Sequence, residues 1–171
     1  MTDGRAEFAD VLAANREYSK SFELAGLPAV AARGLAIVTC MDSRIEPLAM
    51  LGLKPGDAKI MRNAGARVTP DVLRTLVLAT QALGVTRVMV VAHTKCKMAS
   101  ATQDEVEALI AEQSGIDTRS LDFQLITDQR ATLERDVQAI RSWPFLPPGL
   151  PVGGFVYDVD TGRLETVVAP A

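Results

Sequence analysis

The sequence holds one histidine and two cysteines in 171 residues. The histidine stands three positions before one of the cysteines, in His93-Thr94-Lys95-Cys96-Lys97. The other cysteine opens Cys40-Met41-Asp42-Ser43-Arg44. Thiolate sulfur and imidazole nitrogen are donors that Zn2+ prefers, and three protein ligands leave a fourth position for water or substrate. Asp42, two residues past Cys40, can ligate a metal or accept a hydrogen bond from water beside it. Arg44, two further on, can grip that carboxylate with paired N–H donors and keep it ionised. Arg62-Asn63-Ala64-Gly65 adds a glycine that can take positive φ or let backbone approach closely.

Taken singly, each of these residues has a plainer use. A free cysteine at a strand end is often a small buried hydrophobe. A lone histidine there is commonly a core or capping residue, and an exposed Asp–Arg pair contributes little. A redox pair of Cys40 and Cys96 is a further reading, although it needs no histidine and lacks the Cys-x-x-Cys spacing. The metal reading depends on whether the fold brings Cys40 to His93, 53 positions later.

The elements supply that convergence. Residues 35–40 and 86–93 are apolar runs of the kind that form strands covered on both faces, and 57–63 reads as a third, weaker strand. A helix is expected over 3–22, with Phe8, Val11, Leu12, Asn15 and Phe22 near one stripe and Asp3 as cap. Thr69-Pro70 opens a second helix carrying Val72, Leu76, Ala79 and Leu83, which Gly84 ends. Thr102 and Glu105 form a capping box before Val106, Leu109 and Ile110, and Gly115 stops that helix. A fourth helix, capped by Thr127, carries Leu133, Val137 and Ile140 up to Trp143-Pro144. Residues 144–154 read as a surface loop, and 154–168 as a terminal hairpin turning at Asp160-Thr161-Gly162.

The expected fold is α/β: an open, mostly parallel central sheet of about five strands, flanked by helices on both faces. The C-terminal hairpin adds an edge strand, and an N-terminal helical arm precedes the sheet. Residues 1–171 read as a single domain, with 1–34 as arm and linker, long enough to bury a substantial core. In open α/β sheets, ligands bind outside the carboxyl ends of the strands. Cys40 and His93 end the two apolar strands, so all three donors should meet at that edge.

Composition narrows the setting. A net charge of −3 argues against a nucleic-acid partner, which needs a concentrated basic face. The apolar runs are too short to cross a bilayer. The first ten residues carry acidic side chains and no apolar run, unlike a secretory signal. Two cysteines cannot build a disulfide framework, and a cytoplasmic setting fits them better.

Cys40–Arg44, Arg62–Gly65 and His93–Cys96, in this order and spacing, resemble the beta-class carbonic anhydrases, and residues 50–65 resemble the compact bacterial members. The resemblance runs from about residue 35 to the final strands and is preceded by an N-terminal helix. It implies Zn2+ held by Cys40, His93 and Cys96, and reversible hydration of carbon dioxide to bicarbonate by a zinc-bound hydroxide. Asp42 and Arg44 are the implied catalytic pair. In an open state Asp42 pairs with Arg44; in a closed, inactive state Asp42 becomes the fourth metal ligand. Asn63, Gly65 and Lys97 are candidates for the substrate pocket. The resemblance also implies a homodimer or a dimer of dimers, with the N-terminal helix embracing the partner.

Position 97 departs from the family, which usually has glycine there. A lysine is penalised if that position needs positive φ, and it brings a cation close to the metal. Lys95 reads as a solvated side chain. Two alternatives stay open: hydrolysis of carbon disulfide or carbonyl sulfide at the same zinc site, and a catalytically impaired zinc-binding module.

Overall fold

The computed structural model describes residues 7–171. Strand β1, Leu35–Cys40, is buried at every position, as its uninterrupted apolar run requires. It lies between β2, Ala58–Asn63, and β3, Arg87–His93, and runs parallel to both. β4, Val152–Tyr157, is parallel to β3, and β5, Leu164–Val168, closes the edge antiparallel to β4. The sheet order is therefore β2-β1-β3-β4-β5. The chain leaves β1 toward one side and returns to its other side, which makes the β1/β3 boundary a topological switch point.

Four helices accompany the sheet: α1 Ala9–Lys20, α2 Pro70–Ala82, α3 Gln103–Ser114 and α4 Gln129–Arg141. α2 begins as its sequence demands, with Pro70 in the first turn and the Thr69 hydroxyl accepting from the Val72 amide at 3.3 Å. It buries Val72, Leu73, Leu76 and Ala79, while α4 buries Leu133, Val137 and Ile140. Both sets join one cluster with Ala36, Val38, Val88, Val90 and Val152. Each fully buried aliphatic side chain there contributes roughly 1.5–3 kcal/mol.

Both packed helices thus lie on one face of the sheet. The opposite face, formed by Leu35, Ile37 and Val91, is covered by Met50, Leu51 and Leu53 from the segment after β1. Part of it stays open as a groove of about 470 Å3, lined by Leu35, Leu53, Met89 and Phe155 with Arg33 and Arg87. The sheet is flanked by helices as expected, with α2 and α4 on one face and the 3₁₀ turn Ala49–Leu51 on the other. Neither α1 nor α3 buries a residue.

Element ends differ from the sequence reading in physical ways. The helix expected over 3–22 is α1, Ala9–Lys20, and its expected cap Asp3 lies outside the described residues. α4 is capped by Asp128 rather than Thr127: the helix starts one residue later, and the Asp128 carboxylate accepts from the Ala131 amide at 3.0 Å. β4 starts at Val152, two residues earlier than the hairpin reading, because Val152 and Gly153 pair with Val88 and Met89. Gly154 is needed in that strand. A Cβ there would meet Val137 Cγ2 at 3.0 Å and Leu133 Cγ at 3.1 Å, so glycine lets α4 approach the sheet.

Candidate metal centre

Cys40 is the last residue of β1 and His93 the last of β3, so the parallel pairing sets them side by side at the switch point. A turn of two residues then returns Cys96 to the same place. The two sulfurs and one imidazole nitrogen all lie within 4.8 Å of one another. All three residues are buried: Cys40 and Cys96 are 4% exposed and His93 is 1% exposed. Cys40 and Cys96 are both free thiols.

His93 is prepared as a donor. Its Nδ1 lies 2.9 Å from the Thr94 carbonyl, which can only accept, so Nδ1 carries the proton and Nε2 keeps its lone pair. Nε2 is buried and, among the described residues, has no hydrogen-bond partner. An orphaned buried nitrogen is costly unless something else takes it up, and two sulfurs stand beside it. The donor set and this unmet lone pair fit a zinc ion.

The electrostatics agree. The neighbouring Cys96 thiol favours Cys40 as the thiolate of the pair; burial opposes this, while His93 and the Gly65 amide add to it, and the Cys40 pKa is lowered. The Gly65 N–H donates to Cys40 Sγ at 3.4 Å. The Cys40 thiolate beside it, together with burial, pushes the Cys96 thiol up. Burial disfavours the charged form of His93, but the neighbouring Cys40 thiolate outweighs this and leaves the imidazole pKa raised.

Asp42 projects beside this cluster, with Oδ2 3.8 Å from His93 Nε2. Arg44 holds it: Nε donates to Oδ1 at 2.9 Å, Nη2 to Oδ2 at 2.7 Å, and the Arg44 amide to Oδ1 at 3.0 Å. The Arg44 side chain keeps the Asp42 carboxyl well below the usual carboxylate range. In turn Asp42 raises the Arg44 pKa.

Residues 35–141 match the carbonic anhydrase family model. Beta-carbonic anhydrase 1 of Mycobacterium tuberculosis is 37% identical over 158 residues, covering 92% of this chain and 96% of that protein.

The chain belongs to the beta-class carbonic anhydrases.

A crystal structure of carbonic anhydrase from Streptococcus mutans superposes with a TM-score of 0.87 at 38% identity, covering 94% of this chain and 96% of that one. A carbon disulfide hydrolase of Saccharolobus solfataricus is 30% identical over 184 residues, covering 94% of this chain and 89% of that protein. Beta-class carbonic anhydrases use zinc, and among the described residues Cys40, His93 and Cys96 form a cluster that could hold a metal.

The structure adds detail at three residues of this beta-carbonic anhydrase. Lys97 is exposed in a short 3₁₀ turn, Lys97–Ala99, and is absent from the residues with positive φ, so the feared backbone penalty does not arise. The strained lysine is Lys95, at φ +54. Asn63 binds its own loop: Oδ1 accepts from the Arg67 amide at 2.8 Å and Nδ2 donates to the Arg67 carbonyl at 2.7 Å. That closes the turn in which Gly65 takes φ +83. A Cβ on Gly65 would meet Ile126 Cδ1 at 3.1 Å, so both its conformation and its space call for glycine.

Several supporting residues escape a sequence reading. Arg62 Nε donates to the Cys40 carbonyl at 3.0 Å and Nη2 to the Asp42 carbonyl at 2.6 Å, bracketing Met41. Gln129, at the start of α4, donates to the His93 carbonyl at 2.9 Å. Arg62 opens the Arg62–Gly65 motif, yet nothing local says where its guanidinium points. Gln129 carries no signal, because its partner is 36 residues away.

Proposed function

We propose that the chain catalyses the reversible hydration of carbon dioxide to bicarbonate. The convergence of Cys40, His93 and Cys96, with an unpartnered Nε2, beside an Asp42 gripped by Arg44 carries this reading. Bound zinc supplies Lewis acidity there and lowers the pKa of a coordinated water toward neutrality. Two thiolates donate more charge than neutral imidazoles and oppose that lowering.

The other roles belong to the chain itself. Asp42 accepts the hydrogen bond of the attacking water and orients its lone pair toward the carbon of the substrate. Arg44 holds Asp42 away from the metal position. Without that grip the carboxylate is free to become a fourth ligand and exclude water. Ile45 and Ala66 with Met50, Met98 and Tyr157 pack around the two cysteines, an apolar surround suited to an uncharged linear substrate. Gly65 serves the site through its amide on Cys40, Asn63 by holding the loop that bears Gly65, and Lys97 as a cation at the rim.

The unit we propose is the whole domain 1–171, acting in the cytoplasm as a homodimer or a dimer of dimers. Support for assembly comes from α1, which buries nothing while Phe8, Val11, Leu12, Tyr18 and Phe22 stay exposed. Such a stripe is stable when it lies on a second copy. Among the described residues no helix is long and apolar enough to cross a membrane.

Stopped-flow carbon dioxide hydration by the wild type and Lys97→Gly, with zinc measured on both, tests the reading. Activity in both proteins is expected, and stoichiometric zinc with no hydration in either sinks it. The similarity to a carbon disulfide hydrolase favours a second substrate class, the cumulated sulfides. Hydrogen sulfide release assayed beside hydration separates the two.

A further inference from the structure

The turn joining β4 to β5 docks on the loop that follows β3. The Thr94 amide donates to the Tyr157 carbonyl at 2.9 Å, and the Val159 amide donates to Thr94 Oγ1 at 3.1 Å. One residue on, Lys95 Nζ lies 2.6 Å from Asp160 Oδ2. Asp158 braces this turn by accepting from the amides of Asp160 at 2.8 Å and Thr161 at 3.3 Å. Lys95 is left-handed, a conformation that glycine takes freely and a residue with a Cβ does not. Its carbonyl accepts from Arg44 Nη2 at 3.1 Å, the same nitrogen that donates to Asp42 Oδ2.

Lys95 thus joins Asp160 through its side chain and Arg44 through its carbonyl. Asp42 dominates the charge environment of Arg44, and Asp160 also attracts it. Lys95 is the cation that occupies Asp160. We propose that Lys95 is a positioning residue: its ion pair with Asp160 and its carbonyl bond to Arg44 keep the guanidinium on Asp42. With Lys95 neutral, Asp160 competes for Arg44, and Asp42 loses part of its grip while standing 3.8 Å from His93 Nε2. The inference rests on the reading that the Asp42–Arg44 pair serves hydration.

The zinc-loaded protein is compared with Lys95→Met, Lys95→Arg and the double variant Lys95→Met, Asp160→Asn, all at equal zinc content. Two quantities are read: kcat/KM for carbon dioxide hydration, and hydrogen exchange of the Arg44 side-chain Nε–H by NMR. An exposed pair of this kind shifts the balance by a factor of about five. Lys95→Met is expected to lower kcat/KM by about fivefold and to speed exchange at Arg44. Removing Asp160 as well restores both, and Lys95→Arg retains both. A Lys95→Met protein with unchanged Arg44 exchange and kcat/KM within about twofold of wild type overturns the proposal. So does a double variant that stays as impaired as the single one. A wild type without hydration, whose Arg44 protection is nonetheless lost in Lys95→Met, overturns the proposed reaction and leaves the positioning role standing.

Discussion

Arg67 and Asp136 tie the glycine-bearing loop beside Cys40 to helix α4. Arg67 Nε lies 2.8 Å from Asp136 Oδ2 and Nη2 lies 3.4 Å from Oδ1, while Nη1 donates to the Gln124 carbonyl at 2.8 Å. The Asp136 side chain is 9% exposed and that of Arg67 18%. Removing one partner of a buried pair strands the other and costs about 3–5 kcal/mol. Asp136→Ala should lower the unfolding free energy by about 3 kcal/mol in a urea titration. It should also speed zinc loss to a chelator, since Arg67 is bonded at both backbone ends to Asn63 across Gly65. A change below about 1 kcal/mol would show that water replaces the carboxylate.

Arg44→Ala separates metal binding from turnover. Arg44 touches none of Cys40, His93 or Cys96 through its side-chain hydrogen bonds, which go to Asp42 and Lys95. Zinc content should stay near one per chain, while hydration falls by about a hundredfold or more, the scale of losing an orienting group at a reacting centre. Undiminished turnover with full zinc would remove Arg44 from the mechanism.

Proton release should depend on buffer. The sole histidine lies in the metal cluster and is 1% exposed, so no second imidazole can carry protons to solvent. At fixed pH and ionic strength, kcat should rise with buffer concentration toward a plateau, while kcat/KM stays level. A flat kcat would mean that Asp, Glu or Lys side chains already relay protons fast enough.

The capping box of α3 gives an acid-dependent stability term. Glu105 Oε2 accepts from the Thr102 amide at 2.7 Å, and that bond holds the Glu105 pKa below the ordinary carboxyl value. A depressed folded-state pKa means a contribution that is complete above the unfolded value, about 4.3. It is lost as pH falls through the folded value. Glu105→Gln should therefore reduce the fall in stability between about pH 5 and pH 3, read as Tm against pH. Parallel Tm curves for the two proteins would count against it.

The donors and the strands that carry them could be read from the chain because both signals are local. Residues 35–38 and 88–92 are apolar without interruption, and the strands that hold them end in Cys40 and His93, residues of different chemistry. β2 and α2 were legible for the same reason. The start of β4 was not, because Gly153-Gly154 after a run of prolines has the composition of a loop. Those glycines owe their place to Phe155 and to α4, partners set by the tertiary fold. Lys95 is solvated, as its sequence reading has it, but no local pattern announces its left-handed backbone. The one-sided placement of α2 and α4 was likewise hidden, since an apolar strand records burial on both faces but not what covers each.

Pairing of β1 with β3 ties the metal donors to the sheet. Cys40 is made 53 positions before His93, and the two meet only after the chain has laid down β2, wound α2 and returned to the sheet. Closing so long a loop carries an entropy cost that the sheet and its packed helix must offset first. A zinc held by all three donors therefore requires β1 and β3 to be paired. Refolding rates measured with and without the metal should coincide, while the metal slows unfolding.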